Sequence, residues 1–347
     1  MKSNGKRGDR IEKPAITLKS VAELVGLTPS TVSAVLNNSS ASRSVPEQTK
    51  KRILEAARAL DYRPNFFARS LRARRTYMVG VILEEIGDAY GSVVISGIER
   101  YLRARNIFFL TVAHRHDKKL LESYSTVLQE RGVEGFITVD TMLTEASSLP
   151  TVAVAGHRQI KGVTNIVLDH RVAAALALKH LAELGHEKIA FMKGPALSAD
   201  TVERWNSICE AAASLGIKMR PELIVELKGV DPTPHLGYPF AKQLLARKQE
   251  FSALFAYNDI SAIGSMCALH EAGLRVPHDV SVVGFDDIQT AAYVTPPLTT
   301  VRQPLLKMGE VAAKTLLDQI ERRTEYVPEI VIEPELVVRR STARLSV

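Results

Sequence analysis

The sequence lacks the features of several common protein classes. It has only two cysteines in 347 residues, Cys209 and Cys267, and neither has a CxxC partner, so a disulfide framework is not expected. Free thiols of this kind are typical of a reducing compartment. No stretch approaches the ~18 apolar residues of a membrane span, and residues 1–13 lack the apolar segment of a secretory signal. We therefore expect a cytoplasmic protein without a membrane span.

Motifs of the common enzyme classes are missing as well. The sequence contains no GxGxxG, no GxxxxGK followed by Ser or Thr, no GxSxG and no HExxH, which are the usual signatures of dinucleotide, phosphate, hydrolase and zinc sites. His114 and His116 share one side of a predicted strand end, but no third ligand is adjacent, so a metal site is not expected there. The sequence therefore predicts neither an enzyme nor a bound cofactor or metal.

Positive charge is concentrated in the first part of the chain. Residues 1–75 hold 16 Lys and Arg against 6 Asp and Glu, a net charge of +10. The whole chain carries +7, so the other 272 residues carry −3, the difference between +7 and +10. A basic head on an ordinary body is typical of a nucleic-acid-binding module, because Lys and Arg neutralise phosphates whatever the base sequence. A membrane-surface arm is the competing interpretation of the charge alone.

The head, residues 15–63, has the pattern of three short helices. Gly26 is placed to end the first helix in a left-handed conformation, and Thr28 is placed to cap a second helix that begins at Pro29. A third helix is predicted at about residues 46–60. Two helices joined by a short glycine turn form a helix-turn-helix, which places one helix in the major groove of DNA.

Polar segments flank this head. Residues 1–14 are polar and basic and predict a disordered tail. Residues 64–76 form a basic linker, in which residues 66–72 are predicted to make a short hinge helix. Such a helix is well below the ~12 to 15 residues that are marginal in water, so we expect it to be ordered only against DNA or a dimer mate.

From residue 77 onward, short apolar runs alternate with amphipathic helices. This alternation predicts parallel strands covered by helices on both faces, and the length is enough for two such sheets. The predicted strands are residues 77–83, 107–113, 135–139, 151–155, 166–168, 188–192, 253–256 and 281–285. The expected fold class is therefore an all-α helix-turn-helix DNA-binding domain followed by an α/β core of two doubly wound parallel-sheet subdomains.

Several polar residues lie immediately after these apolar runs or open the next helix. In open parallel sheets, ligands bind beyond the carboxyl ends of the strands, where carboxylates, amides and a guanidinium can hydrogen-bond a hydroxyl-rich ligand. The candidates are Asp88, Tyr90, Asp169, Arg204, Asn258 and Asp286. Each has an alternative role: Asp169 is also placed to cap a helix, and Arg204 to be a solvated surface residue.

At this point two sets of segments resemble the lactose-repressor/galactose-repressor (LacI/GalR) family. The longest in the head is TLKSVAELVGLTPSTVS at residues 17–33, and the longest in the core is DVSVVGFDD at residues 279–287. Shorter matching segments are residues 35–37, 62–65, 68–72, 180–181, 185–186, 204, 258–259, 276–277 and 297–301. The similarity covers residues from Thr17 to Arg340.

The resemblance implies a homodimeric, sequence-specific transcriptional regulator, a repressor, with a core like that of periplasmic binding proteins. One subdomain is expected at about 77–170 and 303–330, and the other at about 171–302 and 331–340. A sugar or sugar derivative bound between them is expected to control affinity for operator DNA. The alternative is a periplasmic type of sugar receptor without DNA regulation; the absent secretion signal and the basic head argue against it, and no membrane partner is expected.

In the head, the resemblance implies that the second helix enters the major groove. The residues implied to read base edges are Pro29, Ser30 and Ala34, and those implied to hold phosphates are Thr31, Ser33 and Asn37. Leu71 resembles the residue that wedges into the minor groove and kinks the operator. The other implied DNA contacts are Thr17, Lys19, Arg43, Asn65, Ala68 and Arg72.

Two features of the head depart from the family pattern. Ala34 stands where an arginine is usual, and alanine cannot make the bidentate pair to guanine that is worth roughly 1 to 3 kcal/mol of discrimination. The loop at residues 38–45 is longer than usual, and Arg43 within it is predicted to contact phosphate. We therefore expect an operator that differs from the common one of the family.

In the core, the resemblance assigns effector contacts to the same six candidates and adds two. The additional residues are Ser198 and Asp200, in the loop before Arg204. Gly91 replaces an aromatic residue that is common just after Tyr90, which either enlarges the expected pocket or weakens stacking of the ligand on a ring. The sequence therefore predicts a ligand larger than a monosaccharide.

Overall fold

The computed structural model describes residues 16–37, 39–63, 70–71, 75–229, 233–323 and 326–345. The chain forms two compact units, and the boundary between them falls after Thr76. In the described ranges, no helix is long and apolar enough to cross a membrane.

The head contains helices α1 (Leu18–Val25), α2 (Pro29–Leu36) and α3 (Glu47–Ala59). Gly26 ends α1 with φ of 68°, in the left-handed region that glycine adopts without a Cβ clash. The Thr28 side chain accepts a hydrogen bond from the backbone N–H of Thr31 and so caps α2. These contacts confirm the predicted helix-turn-helix.

The three helices of the head bury their apolar stripes against one another. The buried residues are Val21, Ala22, Val25, Val32, Val35, Ile53, Ala56 and Ala57. Helices this short are not stable alone, so the packing in this small core holds α2 in place. The lengthened loop contains a short 3-10 helix, Ser40–Ser44, with Ser42 buried.

The first sheet of the core has the strand order β11-β5-β4-β3-β1-β2, with every pairing parallel. Its strands are β1 (Met78–Leu83), β2 (Phe108–Ala113), β3 (Phe136–Val139), β4 (Thr151–Val154), β5 (Val163–Leu168) and β11 (Glu329–Ile332). Its helices are α4 (Ala89–Arg103), α5 (Lys118–Glu130) and α10 (Leu305–Ile320). α4 and α10 share one apolar core with the strands, and α5 contributes to a second. We call this layer structure, residues 77–168 and 303–332, the N-subdomain.

The second sheet has the order β12-β10-β9-β8-β6-β7, in which only the pairing of β12 with β10 is antiparallel among the described residues. Its strands are β6 (Ile189–Lys193), β7 (Ile224–Glu226), β8 (Ala253–Phe255), β9 (Ser281–Asp286), β10 (Thr299–Arg302) and β12 (Glu335–Val337). Its helices are α6 (His170–Glu183), α7 (Thr201–Ser214), α8 (Tyr238–Ala246) and α9 (Asp259–Glu271). Apolar clusters line both faces of the sheet. We call residues 169–302 and 333–345 the C-subdomain.

The chain passes between the two subdomains after β5, after β10 and after β11. Both sheets consist of consecutive strand–helix units with buried, apolar central strands. Because such strands are covered on both faces, they are apolar along their whole length rather than alternating. The arrangement confirms the predicted α/β core of two doubly wound sheets.

Candidate functional site

A cavity of about 100 Å³ lies between the N-subdomain and the C-subdomain. From the N-subdomain it is lined by Leu83, Glu84, Glu85, Asp88, Tyr90, Gly91, His116, Val139 and Asp140. From the C-subdomain it is lined by Pro195, Ser198, Asp200, Arg204, Leu236, Tyr257, Asn258, Ile260 and Asp286. Several of these residues directly follow a strand, so the cavity lies at the carboxyl edges of both sheets, where doubly wound folds bind ligands.

The structure brings most of the predicted effector residues to this cavity. Those that line it are Asp88, Tyr90, Ser198, Asp200, Arg204, Asn258 and Asp286, and Gly91 lines it beside them. Asp169 does not line it: its Oδ1 accepts a hydrogen bond from the backbone N–H of Val172 at 3.0 Å and caps α6. The structure therefore corrects the prediction for Asp169, because the helix-cap alternative describes where its side chain lies.

Arg204 is the centre of the C-subdomain wall and is only 4% exposed. Its Nη1 donates to the Tyr257 carbonyl at 2.8 Å and its Nη2 donates to Asp200 Oδ2 at 2.7 Å. Its guanidinium carbon lies 3.9 Å from the centroid of the Phe285 ring, a cation–π contact that favours the charged form. Among the described residues, the buried Nε of Arg204 has no hydrogen-bond partner. Arg204 is therefore rigidly held through both terminal nitrogens, while its Nε is left without a partner among the described residues.

Asp200 is kept anionic by its neighbours. Burial alone would raise its pKa, but His170, His157 and Arg204 outweigh burial and hold the pKa of Asp200 well below its usual value. His157 Nε2 lies 2.5 Å and His170 Nε2 lies 3.4 Å from Asp200 Oδ1. Burial lowers the pKa of His157, but the hydrogen bond to Asp200 and the charges of Asp200 and Glu203 together raise it by more. His157 and Asp200 therefore link the two subdomains beside the cavity.

The donor atoms of His157, His170 and Asp200 lie within 4.8 Å of one another, a grouping that could hold a metal ion. Both oxygens of Asp200, however, already have partners, since Oδ2 accepts from Arg204 and Oδ1 lies beside the two imidazoles. A divalent ion at this point would also face the Arg204 guanidinium. The grouping is therefore better described as an ion-pair network than as a metal site.

Tyr90 offers a hydroxyl to the cavity. Tyr90 is 8% exposed, and its buried Oη has no hydrogen-bond partner among the described residues. Burial, foremost, and the nearby carboxylates raise the pKa of Tyr90 well above its usual value, so the hydroxyl keeps its proton. Leaving such a group unpaired in the folded protein costs about 1 to 3 kcal/mol, which a ligand acceptor or donor at this point removes.

The other lining polar residues are partly used by the protein. Asn258 Oδ1 accepts from the backbone N–H of Ser261 at 2.9 Å and caps α9. Ser198 Oγ lies 2.8 Å from Tyr257 Oη. Asp286 Oδ1 accepts from Gln303 Nε2 at 2.7 Å, and its φ of 108° is rare for a residue with a side chain. Strain of this kind at a strand end is often found at binding sites.

Sequence reasoning missed three acidic residues of the N-subdomain wall, Glu84, Glu85 and Asp140. Glu84 directly follows β1 and Asp140 directly follows β3, and both line the cavity. Asp140 reaches the opposite wall, where its Oδ1 accepts from the backbone N–H of Ala199 at 3.1 Å. The signal was available for Glu84 and Asp140, because both residues occupy the position after an apolar run that selected Asp286.

On the head, the exposed face of α2 carries most of the predicted base-reading residues. Pro29 and Ser30 are exposed and Ala34 is half-buried. The other predicted contacts with exposed or half-buried positions are Thr17, Lys19, Thr31, Asn37 and Arg43. Leu71 is 80% exposed, as a side chain that contacts another molecule would be. Asn65, Ala68 and Arg72 lie outside the described residues.

Ser33 differs from the other predicted phosphate contacts. It is only 8% exposed, and its Oγ lies 3.2 Å from Asn37 Nδ2, which donates to it. Asn37 Nδ2 also donates to the Ser33 carbonyl at 2.8 Å and so holds the end of α2. The prediction that Ser33 contacts phosphate stays a prediction, for a side chain that lies largely buried at the end of α2.

Comparisons with known proteins agree with this architecture. Residues 17–65 match the model of the bacterial regulatory proteins of the lacI family, and residues 178–342 match that of a periplasmic binding protein-like domain. The HTH-type transcriptional repressor PurR of Erwinia tasmaniensis is 33% identical over 94% of this chain and 97% of its own length. The PurR repressor of Haemophilus influenzae is 32% identical over 94% of this chain and 98% of its own length.

Solved structures of full-length regulators have the same fold. A lac repressor bound to ONPG in the repressed state has a TM-score of 0.84 and 25% identity, covering 94% of this chain and 99% of that one. The complex of the transcriptional regulator CelR with cellobiose has a TM-score of 0.69 and 28% identity, with the same coverage. The resemblance noted in the sequence is thus confirmed: the chain belongs to the LacI family of bacterial transcriptional repressors, which are regulators and not enzymes.

Proposed function

We propose that this chain is a homodimeric repressor that binds operator DNA through α2, and that a small hydroxyl-rich effector in the cavity controls the affinity. The observation that carries the proposal is the pair of unsatisfied buried groups, Tyr90 Oη and Arg204 Nε, in a cavity built from both subdomains. Buried polar groups are normally hydrogen-bonded, so unpaired ones on a cavity wall indicate a ligand. The sugar bound to the related CelR supports a sugar or sugar derivative here.

Ligand size is the second part of the proposal. Gly91 lines the cavity, and a Cβ built on it would meet its nearest atom, Asp88 Oδ2, only at 3.5 Å. A Cβ there would thus be in ordinary van der Waals contact, and the glycine leaves unfilled the volume that an aromatic side chain would occupy. This supports an effector larger than a monosaccharide.

The effector acts by linking the two walls. A ligand that hydrogen-bonds both Tyr90 and Arg204 favours one separation of the N-subdomain and the C-subdomain. Each ligand can shift such an equilibrium only by its differential affinity for the two arrangements, and the coupling is reciprocal. Operator DNA must then change effector affinity by the same factor by which effector changes operator affinity.

On the DNA side, a homodimer presents two copies of α2 to two half-sites. Pro29, Ser30 and Ala34 contact base edges, and Thr31, Asn37 and Arg43 are placed to contact phosphates. Because Ala34 lacks the guanidinium that pairs with guanine, the operator has another base at that position, such as thymine, whose methyl group an alanine contacts.

The test is a pair of titrations on the full-length protein. Candidate effectors are first found by thermal shift with sugars, sugar derivatives and nucleobases, since a ligand stabilises the folded core by mass action. The hit is then titrated by calorimetry with and without operator DNA. We expect a change in effector affinity on adding operator; equal affinities in the two titrations would contradict the regulatory mechanism.

Two arginine variants make the test specific to the cavity. Arg204→Gln is expected to abolish both effector binding and the response of operator affinity. Arg171→Gln is the matched control, because Arg171 is an exposed arginine on α6 whose ion pair with Glu210 is solvated. If the Arg204 variant folds and still binds effector with the affinity of the control, the cavity is not the effector site.

A further inference from the structure

Six carboxyl side chains line the cavity: Glu84, Glu85, Asp88, Asp140, Asp200 and Asp286. Among the described lining residues, Arg204 supplies the guanidinium, which lies 2.7 Å from Asp200 Oδ2 and 3.9 Å from Asp286 Oδ1. Arg204 thus lies next to the two carboxylates of the C-subdomain wall, Asp200 and Asp286. The N-subdomain wall has four carboxyl groups and no comparable cation within the described lining.

Two of these four carboxyl groups have protein partners of their own. Asp88 caps α4, where its Oδ2 accepts from the backbone at 2.9 Å. Glu85 lies 3.8 Å from Arg115 Nε at the edge of the cavity. The remaining two, Glu84 and Asp140, face each other across the ends of neighbouring strands β1 and β3.

Glu84 and Asp140 directly follow the paired residues Leu83 and Val139 of β1 and β3, and both side chains line the cavity. Two buried carboxyl groups placed this way favour keeping a proton, because two carboxylates repel. His116 Nδ1 lies 2.5 Å from Glu84 Oε1, and the Ala199 N–H donates to Asp140 at 3.1 Å. Burial lowers the pKa of His116, so this imidazole does not supply the missing charge.

The surroundings of the pair show why the proton is held. Burial, and then the charge of Asp140, raise the pKa of Glu84 to about 9. Burial, and then the charge of Asp200, raise the pKa of Asp140 to about 7. The titratable and charged groups that face the pair are Glu85, Asp88, His116, Asp200 and Arg204. In the unliganded cavity, the pair therefore carries a proton at neutral pH.

A second feature beside the pair also points to a ligand. The unpartnered Tyr90 Oη belongs to the same wall, and the charges of Asp140 and Asp200 act on it. A ligand that satisfies this hydroxyl must lie next to Asp140. Its atoms at that point therefore face two carboxyl groups rather than a neutral surface.

We propose that the effector carries a positively charged nitrogen, an ammonium or a guanidinium, that lies between the carboxyl groups of Glu84 and Asp140. The inference rests on the proposed function, because it assigns this nitrogen to the effector of the same cavity. The cation displaces the shared proton to solvent and forms hydrogen bonds to two carboxylates, which are stronger than those between neutral groups. Amino sugars and polyamines have this chemistry, whereas neutral sugars leave the proton in place.

The experiment compares amines with neutral compounds of the same shape. Full-length protein is titrated at pH 8 with glucosamine and glucose, with the disaccharide of glucosamine and cellobiose, and with putrescine and 1,4-butanediol. We expect at least one amine to bind tenfold or more tightly than its neutral partner. If no amine in the panel binds more tightly than its neutral partner, the inference is overturned.

Two variants place the cation at the pair. Glu84→Gln and Asp140→Asn are each expected to weaken binding of the amine at least tenfold more than binding of its neutral partner. Glu99→Gln is the control, a glutamate of α4 paired with Arg103 outside the cavity, and is expected to leave both affinities unchanged. Equal losses for amine and neutral compound in the two cavity variants would overturn the inference.

The pH dependence of wild-type binding gives a test that needs no variant. Because binding releases the proton shared by Glu84 and Asp140, affinity for putrescine, whose alkylammonium groups have a pKa of about 10 like that of lysine, is expected to rise from pH 6 to pH 8, and the heat of binding to depend on the ionisation enthalpy of the buffer. If amine binding neither takes up nor releases a proton, the proposal is contradicted. The groups that face the pair, named above, are common to amine and neutral ligands, so their titration cancels in the comparison.

The outcomes separate this inference from the proposed function. A neutral sugar that binds as tightly as its amine and alters operator affinity overturns the inference and leaves the proposed function intact. An amine that binds at Glu84 and Asp140 but leaves operator affinity unchanged supports the cation site and contradicts the regulatory mechanism.

Discussion

The two walls of the cavity differ in how their charges are neutralised. On the C-subdomain wall, Arg204 and Asp200 form a buried ion pair within the protein, and Arg204 Nε is left for a ligand. On the N-subdomain wall, Glu84 and Asp140 have no Lys or Arg beside them among the described lining residues, and their raised pKa values favour a bound proton instead. The C-subdomain wall is therefore neutralised within the protein, whereas the two carboxyl groups of the N-subdomain wall are both ionised only when a cationic ligand binds.

The largest effect on stability is expected for Arg204→Gln, which removes the cation of the C-subdomain wall. Breaking a buried ion pair by removing one partner leaves the other charge unpaired, so we expect a loss of about 3 to 5 kcal/mol in the free energy of unfolding. Urea denaturation of the unliganded protein measures it. The exposed Arg171→Gln serves as control and is expected to change stability by less than about 1 kcal/mol. Equal effects of the two substitutions would show that the Arg204 pair is not structurally important.

On the N-subdomain wall, Glu84→Gln is expected to change stability in the opposite direction from Arg204→Gln. A carboxyl group whose pKa is raised on folding binds a proton that the unfolded chain has released, so stability falls as pH rises from about 4.5 to about 9. We expect the melting temperature of the unliganded protein to fall across this window and Glu84→Gln to flatten the fall. Thermal melts at pH 5, 7 and 9 measure the slope, with Glu99→Gln as control. A slope unchanged in Glu84→Gln would refute the shared-proton arrangement.

Tyr90→Phe separates binding from stability on the same wall. Because Tyr90 Oη has no partner among the described residues, removing it costs the unliganded protein no hydrogen bond, and its stability is expected to stay equal or to rise slightly. Effector binding should lose one hydrogen bond, about 0.5 to 1.5 kcal/mol. Calorimetry with the identified effector and urea denaturation measure the two quantities. Lower stability with unchanged affinity would mean that the hydroxyl has a structural partner instead.

The smallest expected effect is that of Gly91→Ala. A Cβ at this position meets no atom closer than 3.5 Å, and alanine in a helix is favoured over glycine by roughly 0.5 to 1 kcal/mol. We therefore expect a small gain in stability and an effector affinity within twofold of the wild type. Denaturation and calorimetry measure both. A large loss of affinity would show that the ligand packs directly on the Gly91 backbone.

Most of the core strands were predictable, and the ones that were missed have a common cause. All the strands predicted from apolar runs are present, from β1 to β9 with the exception of β7. The missed strands, β7, β10, β11 and β12, have three or four residues each. Length is not the cause, since the predicted strands β3, β4 and β8 are equally short. The missed strands β7, β11 and β12 lie at sheet edges and have exposed positions, and β10 begins with two threonines, so none of them stands out as a buried apolar run.

The candidate site was predictable to a different extent for each residue. The rule that ligands bind after parallel strands selected Asp88, Asn258 and Asp286 correctly as lining residues. It failed for Asp169, because the same position also suits a helix cap and the sequence does not distinguish the two. Ser33 was assigned by resemblance, and its largely buried side chain leaves that assignment a prediction.

The sequence by itself determined the helix-turn-helix, the two doubly wound sheets and the position of most lining residues, because helix caps and apolar runs are local patterns. Only the tertiary structure decided which charges meet. Glu84 and Asp140 come from different strands and Arg204 from the other subdomain, and their proximity depends on strand order and on the passages of the chain between the sheets. Interactions between charges depend on distance and burial, so the contrast between the two walls could not be predicted from the sequence.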